Sequence, residues 1–66
     1  MNITVNGEQK NLAETCSVTE LLSKLELQNA FVAVAINNSC VSRSRYDQTS
    51  IQDNDKVEIL APMAGG

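Results

Sequence analysis

A single apolar stripe with helical spacing limits the possible folds of this chain more than any other feature. The stripe recurs at positions i, i+3, i+4 and i+7, as Val18, Leu21, Leu22 and Leu25. The segment Ser17 to Glu20 precedes it as a capping box, in which the serine hydroxyl and the glutamate side chain each accept a backbone N–H of the other residue. The sequence therefore predicts one helix that ends near Glu26 or Leu27 and packs one face on a sheet.

The residues before the helix predict a β-hairpin. Met1 to Val5 alternate apolar and polar residues, and Asn6-Gly7 follows, the pair best suited to the positive φ angles of a type I′ turn. A two-residue turn would place Glu8 and Lys10 on the apolar face of the first strand. We therefore expect residues 8–12 to form an edge strand, where inward charge discourages aggregation, or the turn to be longer.

Three further segments follow the helix. Phe31–Ile36 is rich in β-branched residues and is predicted to be a strand buried on both faces. Ser39–Tyr46 predicts a short strand and then an irregular turn. Asp53–Asp55 has the composition of a turn, and Lys56–Ala61 is predicted to be the last strand.

The order of these elements predicts an α+β fold of the ubiquitin-like β-grasp kind. A mixed sheet of four to five strands, with the one main helix packed across it, buries the leucine stripe efficiently. The first and last strands would then lie side by side. We expect a single domain over residues 1–66, because a chain of 66 residues has room for one core.

Composition argues against several classes of function. The net charge is -3 with only five Lys plus Arg, so nucleic acid is not an expected partner. No apolar run approaches the roughly 20 residues that span a bilayer, and no signal peptide is evident, so we expect a cytoplasmic protein or one of an organelle interior, with no membrane partner. Histidine is absent, and Cys16 and Cys40 are expected to be buried or idle thiols rather than metal ligands.

The chain ends in Pro62-Met63-Ala64-Gly65-Gly66. Pro62 lacks the N–H of a central strand, so residues 62–66 are predicted to be a flexible functional tail. A frayed chain end without a function would have the same composition. A functional tail is favoured by its reach and access, since an extended chain covers about 3.3 to 3.6 Å per residue and glycine has no side chain that would block a narrow channel.

The terminal carboxylate of Gly66 could react with ATP. It is ionised at neutral pH and can attack the α-phosphate, which gives an acyl adenylate. The sequence has no Gly-rich phosphate loop and no histidine, so the activation must come from a separate enzyme and the chain itself is not expected to be an enzyme. We expect no bound cofactor, with ATP consumed by that activating enzyme.

Several features together resemble one known family. The chain length, Asn6-Gly7, the capped helix, the segment 34–38, the turn at 53–55 and the terminal Gly65-Gly66 are similar to the sulfur carrier proteins of thiamin biosynthesis, the ThiS family. The resemblance implies that a ThiF-type enzyme adenylates Gly66. It also implies that a cysteine desulfurase or other persulfide donor supplies the sulfur, and that thiazole synthase accepts it from a thiocarboxylate.

The resemblance assigns the reacting position to Gly66 and the access tail to Met63, Ala64 and Gly65. A free carrier of this kind is expected to be a monomer. Two alternatives with the same fold are a sulfur carrier for molybdopterin synthesis and a ubiquitin-like protein modifier. A third, of another class, is a non-covalent protein-binding module in which the tail is idle.

A possible partner surface follows from strand parity. If Val57 and Ile59 face the helix, Leu60 faces outward and could join Phe31 in an apolar docking patch, or it could be an isolated surface residue. Arg43 and Arg45 could contact an acidic partner. We expect them instead to be solvated, with Tyr46 packed beside them.

Overall fold

The computed structural model describes residues 1–27 and 31–60. In these ranges the predicted hairpin, helix and three later strands are confirmed, and two short strands that were not predicted are added. The elements are β1 (Asn2–Val5), β2 (Glu8–Asn11), β3 (Cys16–Ser17), α1 (Val18–Lys24), β4 (Ala33–Ile36), β5 (Ser39–Val41), a 3₁₀ turn (Arg43–Arg45), β6 (Ser50–Ile51) and β7 (Lys56–Leu60).

The main sheet has five strands in the order β2-β1-β7-β4-β5. β1 and β7 run parallel beside each other, whereas the other neighbouring pairs in this sheet are antiparallel. The adjacent first and last strands and the single described α-helix confirm the predicted β-grasp. The last strand of the chain is thus the central strand of the sheet, with a neighbour on each side.

The N-terminal hairpin has the predicted two-residue turn. Asn6 and Gly7 have φ angles of 51° and 83°, as a type I′ turn requires. Val5 lies opposite Glu8, and Ile3 lies opposite Lys10. β2 is an edge strand and all four of its residues are exposed, so the poor alternation of this segment is explained by its position.

The capping box at the start of α1 is confirmed. The Ser17 hydroxyl accepts the Glu20 backbone N–H at 3.1 Å, and the Glu20 carboxylate accepts the Ser17 backbone N–H at 2.8 Å. Two of the helix's first N–H groups, which have no partner inside the helix, are satisfied in this way. The side chains of Val18, Leu21 and Leu22 are buried, as the stripe predicts.

The helix ends at Lys24, earlier than the predicted Glu26 or Leu27. Glu26 adopts a left-handed φ of 61°, and the backbone N–H of Leu27 bonds back to the Leu22 carbonyl at 2.7 Å. The Glu26 N–H also bonds to the Ser23 carbonyl, which completes a Schellman motif. The turn ends the helix, and Leu25 and Leu27 still pack against the core.

The core lies between α1 and one face of the main sheet. Its buried side chains are Ile3, Val5, Cys16, Val18, Leu21, Leu22, Val32, Val34, Ile51, Val57 and Ile59. Ile51 is fully buried, although we predicted no element there. It comes from β6, which pairs with β3 in a separate two-stranded sheet, where Ile51 lies opposite the buried Cys16.

The prediction that β4 is buried on both faces is wrong. Val32 and Val34 are buried, but Phe31 before them and Ala33 between them are exposed. The helix covers one face of the sheet, and no described element covers the other. The residues of this strand therefore alternate between core and surface, as in other sheets with one solvated face.

The loop after β5 is more ordered than the predicted irregular turn. Residues 43–45 form one 3₁₀ turn, and the hydroxyl of Tyr46 donates to the Val32 carbonyl at 3.1 Å. The ring of Tyr46 is half-buried against the core, which confirms that this tyrosine is packed.

Candidate functional site

The central strand β7 leads directly to the predicted reactive end of the chain. Leu60 is its last residue and the last one that the structure describes before the tail. The predicted sulfur attachment residue Gly66 and the tail residues Met63, Ala64 and Gly65 lie outside the described residues. The site can therefore be described up to the point where the chain leaves the sheet.

The side chain of Asn6 binds the last part of β7. Its Oδ1 accepts the backbone N–H of Ile59 at 2.8 Å, and its Nδ2 donates to the Ile59 carbonyl at 3.1 Å. The backbone N–H of Asn6 also donates to the Val57 carbonyl at 2.9 Å. One turn residue thus makes three hydrogen bonds to the backbone of the central strand.

Asn37 makes a similar set of contacts at the other end of β7. Its Oδ1 accepts the Lys56 backbone N–H at 3.0 Å, and its backbone N–H donates to the Lys56 carbonyl at 2.8 Å. Its Nδ2 donates to the Asp55 carboxylate at 3.0 Å. From the sequence, Asn6-Gly7 was predicted only as a turn, and no role was assigned to Asn37. Both turns begin with asparagine and both border the last strand, and this shared feature is the signal that the prediction did not use.

The outward orientation predicted for Leu60 is confirmed. Val57 and Ile59 are buried on the helix side, whereas Leu60 is 70% exposed on the open face of the sheet. Leu60 lies opposite Ala33 on β4, and Phe31 precedes this pair with 68% of its surface exposed. We call Phe31, Ala33 and Leu60 the open-face patch. These three apolar side chains lie beside the point where the chain leaves β7.

Arg43 adds a positive charge to the rim of this patch. Its guanidinium group lies over the ring of Phe31, 3.6 Å from the ring centroid, at the separation of a cation–π pair. A shallow groove on this side of the sheet is lined by Phe31, Ala33, Val41, Arg43, Tyr46 and Leu60. Arg43 is exposed, as predicted for a solvated residue, and the fold in addition brings it onto Phe31, twelve positions earlier in the chain.

The two thiols have different surroundings. Cys16 is buried in β3, two residues before α1, and this burial raises the pKa of its thiol, with smaller opposing effects from the charges of Lys24, which lowers it, and Glu20, which raises it. Cys40 is exposed on β5. Because the thiolate is the nucleophilic form, burial makes Cys16 a poor nucleophile.

Two general findings bear on the kind of site. Among the described residues, no group of three or more Cys, Asp or Glu side chains is placed to hold a metal ion. Within the same ranges, no helix has the length and apolar character needed to cross a membrane.

A mixed five-stranded sheet whose first and last strands lie parallel side by side, with one described α-helix packed across it, defines the ubiquitin-like β-grasp class. Residues 3–66 match the model of the ThiS family. The chain is 43% identical to a thiamine biosynthesis protein (ThiS) from Geobacter metallireducens, whose crystal structure superposes with a TM-score of 0.86 and full coverage of both chains. It is 35% identical to the sulfur carrier protein ThiS of Escherichia coli, again over the full length of both.

The chain belongs to the ThiS family. It is thus a sulfur carrier of thiamin biosynthesis and not itself an enzyme. A further relative is a thiazole synthase of Paramagnetospirillum magneticum, with 38% identity over 66 residues. The chain spans only 20% of that relative's length, so a segment like this one forms part of a larger protein there.

Proposed function

We propose that the carboxylate of Gly66 is the atom group that carries sulfur, and that thiazole synthase is the acceptor. The observation that carries the proposal is the family match, which extends through Gly65 and Gly66. The geometry of β7 supports it, because the strand that precedes the tail is central and hydrogen-bonded at both ends. A fixed strand followed by a short glycine-ended segment suits delivery of a chain end into a partner's active site.

The carboxylate of Gly66 becomes a thiocarboxylate in three steps. A carboxylate oxygen of Gly66 attacks the α-phosphate of ATP, which releases pyrophosphate and forms an acyl adenylate. The terminal sulfur of a persulfide then attacks the carbonyl carbon, and AMP leaves. A thiol finally attacks the S–S bond of this acyl disulfide, which leaves a thiocarboxylate on Gly66 and a disulfide on the donor side.

The partners in this proposal are proteins. A ThiF-type enzyme binds ATP and catalyses the adenylation, a cysteine desulfurase or other persulfide donor supplies sulfur, and the carrier itself holds no cofactor. The thiazole synthase that contains a segment similar to this chain supports the choice of acceptor. The reactions would take place in the cytoplasm or an organelle interior, with the free carrier a monomer.

The open-face patch is the proposed docking surface for the activating enzyme. Two of its three side chains, Phe31 and Leu60, are large and exposed, and Leu60 immediately precedes the tail. A partner that covers the patch removes apolar surface from water next to the point where it must take up the chain end. Arg43 at the rim would favour an acidic group on that partner.

The test is the intact mass of the carrier after incubation with a ThiF-type enzyme, ATP, a cysteine desulfurase and cysteine. Replacement of one carboxylate oxygen by sulfur adds about 16 Da, and fragmentation should place the gain on Gly66. No gain, with the enzymes shown to be active on their own carrier, would contradict the proposal.

A variant with an extended C-terminus distinguishes a sulfur carrier from a non-covalent binding module. A residue added after Gly66 moves the carboxylate and should abolish the mass gain, while a binding module would keep its affinity for its partner. The wild-type chain, once converted to the thiocarboxylate, should yield thiazole product with thiazole synthase. Transfer to molybdopterin synthase, or an isopeptide bond to lysine, would instead support one of the two alternatives with the same fold.

A further inference from the structure

We propose that Asn6 is a positioning residue for the reaction at Gly66, because its side-chain amide fixes the part of β7 from which the tail leaves. This inference deepens the proposed function and depends on it. Asn6 does not contact the reacting atoms. It acts through Ile59, which lies seven positions before Gly66 in the sequence.

The end of β7 lacks a backbone neighbour on the β1 side. Val5, the last residue of β1, lies opposite Val57, and the chain then turns towards β2. A parallel strand that continued here would present an N–H and a C=O to Ile59, from two residues that lie two positions apart. The Asn6 side chain supplies these two groups instead, with bonds of 3.1 Å and 2.8 Å.

Asparagine suits this position for two separate reasons. The turn requires a positive φ, here 51°, which asparagine adopts more readily than most other residues. The backbone of Ile59 requires one hydrogen-bond donor and one acceptor, and a primary amide carries both. Glycine meets only the first requirement, and aspartate meets the first but can only accept when ionised.

Fixing Ile59 should lower the cost of placing the tail in a partner. Segments that are ordered before binding lose less conformational entropy when they bind. On the other side of β7, Leu60 lies opposite Ala33 of β4. With Asn6 in place, the end of β7 is held from both sides. Without it, the strand end could separate from the sheet and the start of the tail would lose its fixed direction.

The experiment compares Asn6→Gly with Asn37→Gly. Both variants keep a residue that tolerates positive φ and both remove a side-chain amide bonded to β7, but Asn37 acts at Lys56, the end remote from the tail. The readout is the rate of pyrophosphate release with a ThiF-type enzyme and ATP, at a temperature where both variants are folded. Asn6→Gly should raise the KM for the carrier about fivefold, with kcat nearly unchanged and Asn37→Gly close to wild type.

Asn6→Asp provides an intermediate case. It keeps the turn and the acceptor for the Ile59 N–H but loses the donor for the Ile59 carbonyl, so its KM should fall between the wild-type value and that of Asn6→Gly. Amide hydrogen exchange gives a second readout. In Asn6→Gly the Ile59 amide should exchange faster, while the Leu21 amide in the helix keeps the protection that it has in Asn37→Gly.

Equal KM values for Asn6→Gly and Asn37→Gly, or unchanged exchange at Ile59, would overturn the inference while leaving the proposed function intact. If the wild-type chain releases no pyrophosphate with an enzyme active on its own carrier, the proposed function fails and this inference fails with it. The wild-type reaction therefore distinguishes the two failures.

Discussion

At the scale of single residues, backbone conformation explains much of the turn chemistry. Five non-glycine residues in the described ranges have positive φ angles, and four of them are asparagines. Asparagine tolerates this region better than most residues. The fifth, Glu26, has no such tolerance and occupies the helix C-terminus, where glycine is usual. Its backbone carries strain that a different residue would relieve.

Replacement of this glutamate should stabilise the protein. Glu26→Gly removes the strain of a β-carbon at a φ of 61° and should raise the free energy of unfolding by about 0.5 to 1 kcal/mol. Urea denaturation measures the change. The control is Lys24→Gly, at the last residue of the helix, where no positive φ is relieved and the lower helix propensity of glycine should reduce stability by up to about 1 kcal/mol. A loss of stability in Glu26→Gly would contradict this account of the Schellman turn.

The buried thiol of Cys16 predicts a pH dependence. Because burial raises its pKa in the folded state, the folded protein keeps a proton that the unfolded chain releases at alkaline pH. The resulting stabilisation is complete below the pKa of the unfolded thiol and is lost as the pH rises through the folded pKa. In Cys16→Ala the alkaline fall in stability should be shallower than in wild type.

The matched control is Cys40→Ala, since this thiol is exposed. The free energy of unfolding, measured by urea titration from neutral to alkaline pH, should follow the wild-type slope in this variant. Identical slopes in wild type and Cys16→Ala would mean that the buried thiol does not contribute.

At the scale of elements, the sequence predicted correctly those elements whose backbone hydrogen bonds are formed within a few residues of the chain. The Asn6-Gly7 hairpin and the capping box of α1 are both confirmed, because each depends on hydrogen bonds and φ preferences within a few residues. The two-residue strands β3 and β6 were missed. Each is too short to show a period, and each exists because the fold brings the other beside it.

The capping box should contribute measurably to stability. Ser17→Ala removes the acceptor for the Glu20 N–H and should lower the free energy of unfolding by about 1 kcal/mol. Thermal or urea unfolding measures it. Ser23→Ala, an exposed serine on the same helix, is the control and should change stability little or raise it slightly. Equal effects of the two substitutions would argue against a capping role.

At the scale of the whole molecule, the two faces of the sheet differ, because only one of them is covered by a described element. α1 covers the first face, and the second carries the open-face patch next to the end of β7. The two faces differ because the described part of the chain has one α-helix, which can cover only one side of the five-stranded sheet. Residues on the open face can therefore change without loss of the core, which makes the proposed docking surface testable.

Leu60→Glu should weaken binding to the activating enzyme about tenfold or more while leaving the fold intact, because it places a charge in an apolar contact. Isothermal titration with a ThiF-type enzyme measures the affinity, and circular dichroism checks the fold. Gln9→Glu adds the same charge on the edge strand β2 and should leave the affinity nearly unchanged. Unchanged binding in Leu60→Glu would remove the patch from the proposal.

The sequence alone determined the helix, the first hairpin, the order of the longer elements and the family resemblance, because periodicity, caps and turn residues act over short distances. Tertiary structure decided which face of β4 is buried, why Ile51 is in the core and why Arg43 lies on Phe31. It also decided that Asn6, a turn residue by sequence, binds the backbone of Ile59, 53 positions away. These contacts join residues distant in the chain, and their geometry follows only from the packing of one helix on one face of the sheet.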